Sequence, residues 1–349
     1  MRVNWTAAVA FAVVAAIPCL RADERSDGNA AASAADSSSP RERIRERLQQ
    51  RRNAAEGVVD RGRSEARSLE HAGQQRSYRL HMPPGYKSGT PVPLMIVLHG
   101  LLGDGAMMEP FTRFNEVADK EGFVVAYPDG LNRMWRFWES DVTPEAPLKS
   151  GEIDDVGFIA AIIDQLVEEK IVDARRVYVT GLSNGGYMSN RLACSLSHKI
   201  AAIAPVAGTM VPLLNKGTPG RPVPVVYFHG TADQIVGYDG VDQITKGKAS
   251  LSAEQLCQWW AKMNQCLEPL PVEEMPDTVA DSTLVKKHVF PAGEGGAPVV
   301  FYELSGGGHT WPGGGPQPEQ WIGGVCRDIS ASELIWEFCS QYSLPEPQE

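Results

Sequence analysis

The chain has 349 residues, of which 43% are hydrophobic and 22% are charged. This composition is typical of a globular protein and excludes a chain that is disordered throughout. The formal net charge of −10 provides no positive field that would collect phosphates, which argues against nucleic acid as a partner. No apolar run reaches the roughly 18 residues that a membrane-spanning helix needs, so we expect no membrane span.

The N-terminus has the features of an export signal. Arg2 supplies the charged start, residues 5–20 form an apolar run, and Ala22 is a small residue at which a signal peptidase can cut. Pro18 interrupts the run, which disfavours an uncleaved anchor and also lipid attachment to the cysteine that follows it. The sequence therefore predicts a signal peptide over residues 1–22 and a secreted or periplasmic protein.

Residues 23–75 form a segment of low complexity. They are rich in Ala, Ser, Arg, Glu and Gln and contain almost no aromatic or β-branched residue that a core could bury. We expect a disordered linker here. No internal repeat or second linker divides residues 76–349, which are predicted to form one domain.

Five cysteines follow the predicted signal: Cys194, Cys257, Cys266, Cys326 and Cys339. In an oxidising compartment they are candidates for disulfides, and an odd number leaves one of them unpaired. The pairing cannot be read from the sequence. None of them stands in a C-x-x-C pair or at metal-ligand spacing from a histidine, so the sequence indicates no metal site.

From Arg76 onward, strand-like apolar runs alternate with helix-like stretches. This pattern predicts an α/β fold with a mostly parallel sheet and helices on both faces. Residues 78–82 alternate like an edge strand, and buried strands are predicted at 94–98, 123–127, 177–180, 201–206, 223–228 and 299–304. Helices are predicted at 155–169, 187–196 and 330–342, and Asp154 or Asp155 can cap the first of them.

The strand predicted at 177–180 leads into a G-x-S-x-G sequence with Ser183 at its centre and a predicted helix behind it. This is the setting of a nucleophile elbow, in which a serine on a sharp strand-to-helix turn projects its hydroxyl from the sheet. The pattern alone also occurs as an ordinary turn, and the flanking strand and helix favour the catalytic interpretation. Ser183 is therefore the candidate nucleophile.

A serine hydroxyl needs an imidazole to take its proton, and this architecture has the chain order serine, acid, histidine. Among the later histidines, His198 directly follows the nucleophile's helix, His229 precedes every plausible acid, and His288 lies within a strand-like run. His309 remains. It lies in a glycine-rich loop beyond the last long strand, where the backbone can swing the ring back over the elbow.

The orienting acid should follow the penultimate strand, and Asp233 does so. Its role would be to accept the second imidazole N–H and to stabilise the imidazolium. Asp239 and Asp242 are competitors that lie further from the strand end.

An oxyanion hole needs two backbone N–H groups, and the predicted donors are those of Asn184 and Leu101. Asn184 follows the nucleophile, and Leu101 follows the strand at 94–98. The glycines around Leu101 also suggest a phosphate loop, but they lack the G-x-G-x-x-G spacing and a Walker lysine.

Six short strings between residues 76 and 342 support a family resemblance. They are Val97-Leu98-His99-Gly100, Asp154-Asp155-Val156-Gly157-Phe158, Gly181-Leu182-Ser183-Asn184-Gly185-Gly186, Arg191-Leu192-Ala193-Cys194, His229-Gly230-Thr231-Ala232-Asp233 and Gly307-Gly308-His309-Thr310-Trp311-Pro312-Gly313. Together they resemble the secreted α/β-hydrolase esterases grouped as polyhydroxybutyrate depolymerases, feruloyl esterases and acetyl xylan esterases. The resemblance implies a triad of Ser183, Asp233 and His309 that hydrolyses a carboxylic ester through an acyl-enzyme. Gln234 and Gly237 stand where the family often has proline, a departure that concerns the pocket wall.

Aromatic residues near the predicted site indicate a platform for a sugar or phenolic acid, or else pack the loops. They are Trp135, Phe137, Trp138, Trp311 and Trp321. We expect Trp311 and Trp138 to line the site. Asp155 is predicted to cap its helix, with the binding of a substrate hydroxyl as the second interpretation.

The sequence therefore predicts a secreted serine esterase that acts on feruloyl or acetyl esters of plant polysaccharide, or on short polyhydroxyalkanoate esters. We expect no metal or organic cofactor, and the only expected partner is the ester substrate. The oligomeric state cannot be derived. One alternative is a serine peptidase of the same fold, disfavoured because no propeller-sized domain accompanies the hydrolase. The other is a catalytically silent polysaccharide-binding module, which would require an incomplete triad or a closed pocket.

Overall fold

The computed structural model describes residues 62–137, 153–211, 217–241 and 250–346. The predicted signal, the predicted linker as far as residue 61, Trp138 and Asp242 lie outside these ranges. The described residues form one ten-stranded sheet with helices packed against it. No helix in this part of the chain is both long enough and apolar enough to cross a bilayer.

The strands are β1 (Arg63–His71), β2 (Gln74–Met82), β3 (Val92–Leu98), β4 (Val124–Pro128), β5 (Val172–Leu182), β6 (Ala202–Val206), β7 (Val225–Gly230), β8 (Glu273–Glu274), β9 (Leu284–Phe290) and β10 (Val299–Ser305). Their order in the sheet is β1-β2-β4-β3-β5-β6-β7-β10-β9-β8. The central strands from β4 to β10 pair in parallel, and the strands at both edges pair antiparallel. The carboxyl ends of the parallel strands therefore lie at one edge of the sheet, where the ligand-binding loops of such folds gather.

The helices are α1 (Gly105–Thr112), α2 (Phe114–Glu121), α3 (Asp155–Glu168), α4 (Asn184–Ser195), α5 (Ala253–Met263), α6 (Glu319–Ile322) and α7 (Ala331–Cys339). Several begin at a side chain that accepts a free N–H of the first turn. Asp154 caps α3 by accepting from the Gly157 N–H at 2.8 Å. Ser252 caps α5 and forms a reciprocal capping box with Gln255.

The sheet separates two hydrophobic cores. Successive side chains of β3 alternate between them, with Leu94 and Ile96 in one core and Met95 and Val97 in the other. The first core also contains buried side chains of α3, α4 and α5, and the second contains those of α1, α2 and α7. The predicted fold class, a mostly parallel sheet with helices on both faces, is confirmed.

The sheet begins inside the segment predicted as a linker. β1 pairs antiparallel with β2 along its whole length, through a turn in which both Ala72 (φ 51°) and Gly73 (φ 72°) have positive φ. Positive φ at both residues is the signature of a tight hairpin turn. The linker prediction is therefore wrong for residues 63–75. It is also wrong that residues 78–82 form an edge strand, because β2 lies between β1 and β4.

The described cysteines form no disulfide with one another. They are Cys194, Cys257, Cys266, Cys326 and Cys339. Four of them are buried, and burial raises the pKa of the Cys257 and Cys339 thiols well above its usual value. Within the part of the chain that the structure describes, the fold is therefore held by packing and hydrogen bonds.

Candidate active site

Ser183 joins β5 to α4 in a strained conformation. Its backbone has φ 56° and ψ −118°, an unfavourable combination for a residue with a Cβ atom. The glycines on either side permit close approach. A Cβ on Gly181 would lie 2.6 Å from the backbone carbon of Gly185, and one on Gly185 would lie 2.4 Å from the carbonyl oxygen of Leu98. The strand, the strained serine and the helix form the predicted elbow geometry.

Asp233 and His309 form a buried pair at the same edge of the sheet. Asp233 follows β7, His309 follows β10, and these two strands are parallel neighbours. His309 Nδ1 lies 2.8 Å from Asp233 Oδ2, and both residues are 6% exposed. Asp233 Oδ1 accepts the backbone N–H groups of Ile235 at 2.8 Å and Val236 at 2.9 Å. The carboxylate is therefore fixed on one side by its own loop and on the other by the imidazole.

The electrostatic balance at Asp233 favours the carboxylate form. Burial alone would raise the pKa of Asp233, but the charge and hydrogen bond of His309, together with the N–H groups of its own loop, bring it below the usual value. A carboxylate facing Nδ1 holds the imidazole proton on that nitrogen and leaves Nε2 able to accept another proton.

Ser183 lies at the end of β5, and only β6 separates that strand from β7. Two strand spacings amount to roughly 10 Å, a gap that an imidazole with a hydrogen bond on either side can bridge. Among the described residues, the Ser183 hydroxyl makes no hydrogen bond, so its contact with His309 is not formed in this structure. Such contacts are often long in enzymes without substrate and tighten in the substrate complex.

Leu101 and Asn184 follow two adjacent parallel strands, β3 and β5. The turn before Leu101 packs against Ser183, because a Cβ on Gly100 would lie 3.5 Å from the Ser183 Cβ. Among the described residues, neither the Leu101 N–H nor the Asn184 N–H donates to a protein acceptor. The structure thus brings the two predicted oxyanion donors to the same edge as Ser183.

Comparisons with known proteins show the family of this chain. A family model described as "Esterase PHB depolymerase" matches residues 76–214. A protein named "Putative esterase NocK", from Nocardia uniformis subsp. tsuyamanensis, is 30% identical over 285 residues, which cover 78% of this chain and 81% of that protein. The chain belongs to this esterase family.

Two further proteins similar to this chain carry narrower names. Feruloyl esterase B of Piromyces equi is 29% identical to the esterase over 277 residues, which cover 77% of this chain but only 46% of that protein. Among solved structures, an acetyl xylan esterase from Aspergillus awamori is 16% identical with a TM-score of 0.48, covering 70% of this chain and 94% of that one. The family resemblance expected from the sequence is confirmed by the sequence relatives, and the mostly parallel sheet of the described residues is the fold that it implied.

The three histidines that were set aside in the sequence have other surroundings in the esterase. His198 is exposed, and His288 Nε2 lies 3.2 Å from the Glu303 carboxylate. His229 is fully buried, donates from Nε2 to the Val236 carbonyl at 2.8 Å and accepts from the Tyr227 hydroxyl at Nδ1. Burial lowers the pKa of His229, so this ring is neutral near pH 7.

The prediction that Trp311 lines the site is wrong. Its side chain is 0% exposed, belongs to the second core, and donates from Nε1 to the Ser332 hydroxyl at 3.1 Å. The glycine loop turns the ring into the core, where it contacts Phe114 edge to face. Proximity in sequence to His309 did not determine the direction of this side chain.

The interpretation of Asp155 as a substrate ligand is also wrong. Its carboxylate pairs with the buried Arg76 guanidinium at 2.7 Å and accepts the Arg136 N–H at 2.8 Å. Both oxygens are occupied and the side chain is 0% exposed. Asp154 is the residue that caps α3. Trp138, the remaining candidate for substrate binding, lies outside the described residues.

The sequence indicated no metal ligands, but the described residues include one group of suitable donors. Asp281, Cys326 and Asp328 place one ligand atom each within 4.8 Å of one another. The two carboxylates already accept backbone N–H groups, Asp281 from Arg327 and Asp328 from Val279. These bonds tie two surface loops together, which is sufficient to explain the cluster.

Proposed function

We propose that the protein is a secreted serine esterase that hydrolyses carboxylic esters through an acyl-enzyme. The observation that carries the proposal is the buried Asp233–His309 pair at the same sheet edge as the strained Ser183. A carboxylate that fixes the imidazole tautomer, beside a serine on an elbow, is the arrangement that activates a hydroxyl for attack on a carbonyl.

The reaction follows from the roles of these groups. The Ser183 oxygen attacks the ester carbonyl while His309 Nε2 takes the hydroxyl proton, and Asp233 stabilises the resulting imidazolium. The N–H groups of Leu101 and Asn184 stabilise the negative oxygen of the tetrahedral intermediate. His309 then gives the proton to the departing alcohol, and a water molecule releases the acid by the same steps in reverse. No step calls for a metal or an organic cofactor.

We propose feruloyl or acetyl esters of plant polysaccharide, or short polyhydroxyalkanoate esters, as the substrates. The names of the sequence relatives support this range, because they include a feruloyl esterase and a bifunctional acetylxylan esterase/xylanase. A panel of methyl ferulate, acetylated xylan, poly-3-hydroxybutyrate film and a chromogenic peptide separates the ester classes from each other and from a peptidase. The proposal predicts turnover of at least one ester and none of the peptide.

The test of the chemistry is release of nitrophenol from a short-chain nitrophenyl ester by the purified mature protein and by its Ser183→Ala variant. We expect the variant to lose at least about a thousandfold in kcat, because loss of a triad member removes nucleophilic catalysis. Equal rates would refute the serine mechanism. We expect the activity to be unchanged after dialysis against a chelator, because the proposed mechanism uses no metal.

We propose export as the fate of the chain, through cleavage of residues 1–22. The apolar run and the small residue at its end support this. N-terminal sequencing of protein recovered from the culture medium or periplasm tests it, and a mature chain that begins at Asp23 is the expected result. An intact N-terminus on cytoplasmic protein would refute it.

A further inference from the structure

Trp135 lies beside the predicted oxyanion hole, although its ring does not reach the surface. It follows a short 3-10 turn, Leu131–Arg133, beyond the carboxyl end of β4. The residue is 0% exposed and its ring packs against that of His99, with the ring centroids 4.8 Å apart. This position excludes Trp135 as a stacking platform for substrate and requires another explanation for its polar contacts.

The backbone of Trp135 is clamped by the side chain of Asn184. The Trp135 N–H donates to Asn184 Oδ1 at 2.6 Å, and the Trp135 carbonyl accepts from Asn184 Nδ2 at 3.1 Å. The side-chain amide of Asn184 therefore bonds to both the N–H and the carbonyl of Trp135, as the backbone of a neighbouring strand would. Since Asn184 is the first residue of α4, this clamp fixes Trp135 to the elbow.

The indole of Trp135 bonds to the turn that carries the other predicted oxyanion donor, Leu101. Its Nε1–H donates to the His99 carbonyl at 2.9 Å. That carbonyl belongs to the peptide that precedes Gly100, and the turn continues to Leu101. A single buried residue therefore bonds to both segments that supply the predicted oxyanion donors.

The His99 ring completes the frame of this turn. Its Nε2 accepts the Gly130 N–H at 2.9 Å, so Nδ1 carries the proton and donates to the Gly100 carbonyl at 2.7 Å. Both ring nitrogens are occupied, and burial lowers the pKa of His99, which keeps the ring neutral. The turn is held from two sides, by the His99 ring within it and by the Trp135 indole across it.

We propose that Trp135 is a positioning residue for the oxyanion hole, whose indole N–H holds the His99–Leu101 turn in register with the Asn184 amide. The inference rests on the proposed esterase mechanism. Oxyanion donors must lie within about 3 Å of the charge that develops in the transition state, and a displacement of about 1 Å can cost on the order of a hundredfold in rate. The Trp135–His99 bond is one of the contacts that limit such a displacement.

The test is Trp135→Phe, which retains an aromatic ring and removes the N–H. We expect kcat for a nitrophenyl ester to fall about 10- to 100-fold while KM changes by less than about threefold, because the lost contact acts in the transition state. The affinity for a boronic acid, which forms a tetrahedral adduct with the active serine, should fall by a similar factor.

Trp260→Phe is the matched control. Trp260 is equally buried and donates its indole N–H to Asn190 Oδ1 at 2.8 Å. Asn190 lies on α4, as Asn184 does, but away from the oxyanion turn. Trp260→Phe should lower the melting temperature and leave kcat and boronic acid affinity within about twofold. If Trp135→Phe behaves in the same way, the inference is overturned.

The experiment also distinguishes a folding failure of Trp135→Phe from a failure of the esterase proposal. If Trp135→Phe does not fold, Trp135 is replaced by benzothienylalanine, in which sulfur takes the place of the N–H in a ring of the same shape, and the same kinetic split is expected. If the wild-type protein is no faster than Ser183→Ala, the esterase proposal fails. Only a fast wild type with an equally fast Trp135 variant refutes the positioning role alone.

Discussion

Asp233 and His309 are 76 positions apart in the sequence, and a hydrogen bond of 2.8 Å joins their side chains. The strands that deliver them, β7 and β10, are parallel neighbours, with Gly230 opposite Leu304. The loops beyond the strands also touch, because the Ala232 N–H donates to the Gly307 carbonyl at 2.9 Å. Both loops are therefore fixed before any substrate binds, which is the condition for a preorganised acid–histidine pair.

Asp233→Asn should reduce kcat by about four orders of magnitude, because an amide at this position favours the wrong imidazole tautomer. Steady-state kinetics with a soluble ester measure the effect. Asp239→Asn is the control, since Asp239 is exposed and accepts the N–H of Val241 at 3.1 Å. A large loss in the Asp239 variant and none in the Asp233 variant would show that the acid has been misassigned.

The strain at Ser183 predicts an unusual stability difference between two inactive variants. Ser183→Gly should be more stable than Ser183→Ala by about 1 kcal/mol, because glycine adopts positive φ without a Cβ penalty. Urea unfolding followed by fluorescence gives the free energies. Both variants lack the hydroxyl, so their difference isolates the backbone. If alanine proves as stable as glycine here, the elbow stores no strain.

Replacing Asp155 should lower the free energy of unfolding and leave substrate affinity unchanged. Asp155→Ala leaves the buried Arg76 without its partner, and breaking such a pair costs about 3–5 kcal/mol of the free energy of unfolding. KM for a soluble ester should stay within about twofold, since Asp155 does not reach the surface. Asp154→Ala is the control and should cost about 1 kcal/mol through loss of the helix cap. A raised KM with unchanged stability would restore Asp155 as a substrate ligand.

The strands and the elbow were predictable because their signals are local. Apolar runs identified β3, β5 and β10, and the turn chemistry around Ser183 identified the nucleophile's setting. The directions of Trp311 and Asp155 were not predictable, because they depend on which element packs above each side chain.

β1 was missed for a related reason. Its charged residues and lack of β-branched side chains resemble a linker, and only pairing with β2 makes it a strand. The role of Trp135 was equally hidden, since the two segments that it joins are distant in sequence. For α5, the signal was available in the capping box of Ser252 and Gln255.

Mild acid should destabilise the protein in part through His229. Burial places its folded-state pKa below the value in the unfolded chain. As the pH falls below about 6.5, the unfolded chain therefore takes up the proton first, and the free energy of unfolding decreases by at most about 1.4 kcal/mol per pH unit for each such histidine. His99 contributes with the same sign. Asp233, whose pKa is lowered in the folded protein, reduces the free energy of unfolding only below about pH 4.

Urea unfolding between about pH 7.5 and pH 5 measures this slope. His229→Gln should make the slope shallower, because glutamine does not titrate and can still donate to the Val236 carbonyl. His198→Gln is the control, because it makes the same replacement at an exposed histidine. Identical slopes in all three proteins would rule out His229 as a source of acid sensitivity.

The most direct test of the account is covalent labelling of the purified protein with a fluorophosphonate, followed by peptide mapping in a mass spectrometer. A serine activated by His309 and Asp233 reacts with this reagent, whereas an ordinary surface serine does not. We expect one adduct, on Ser183, which disappears in the His309→Ala variant. An adduct on a different serine, or an active ester hydrolase with no adduct on Ser183, would contradict it.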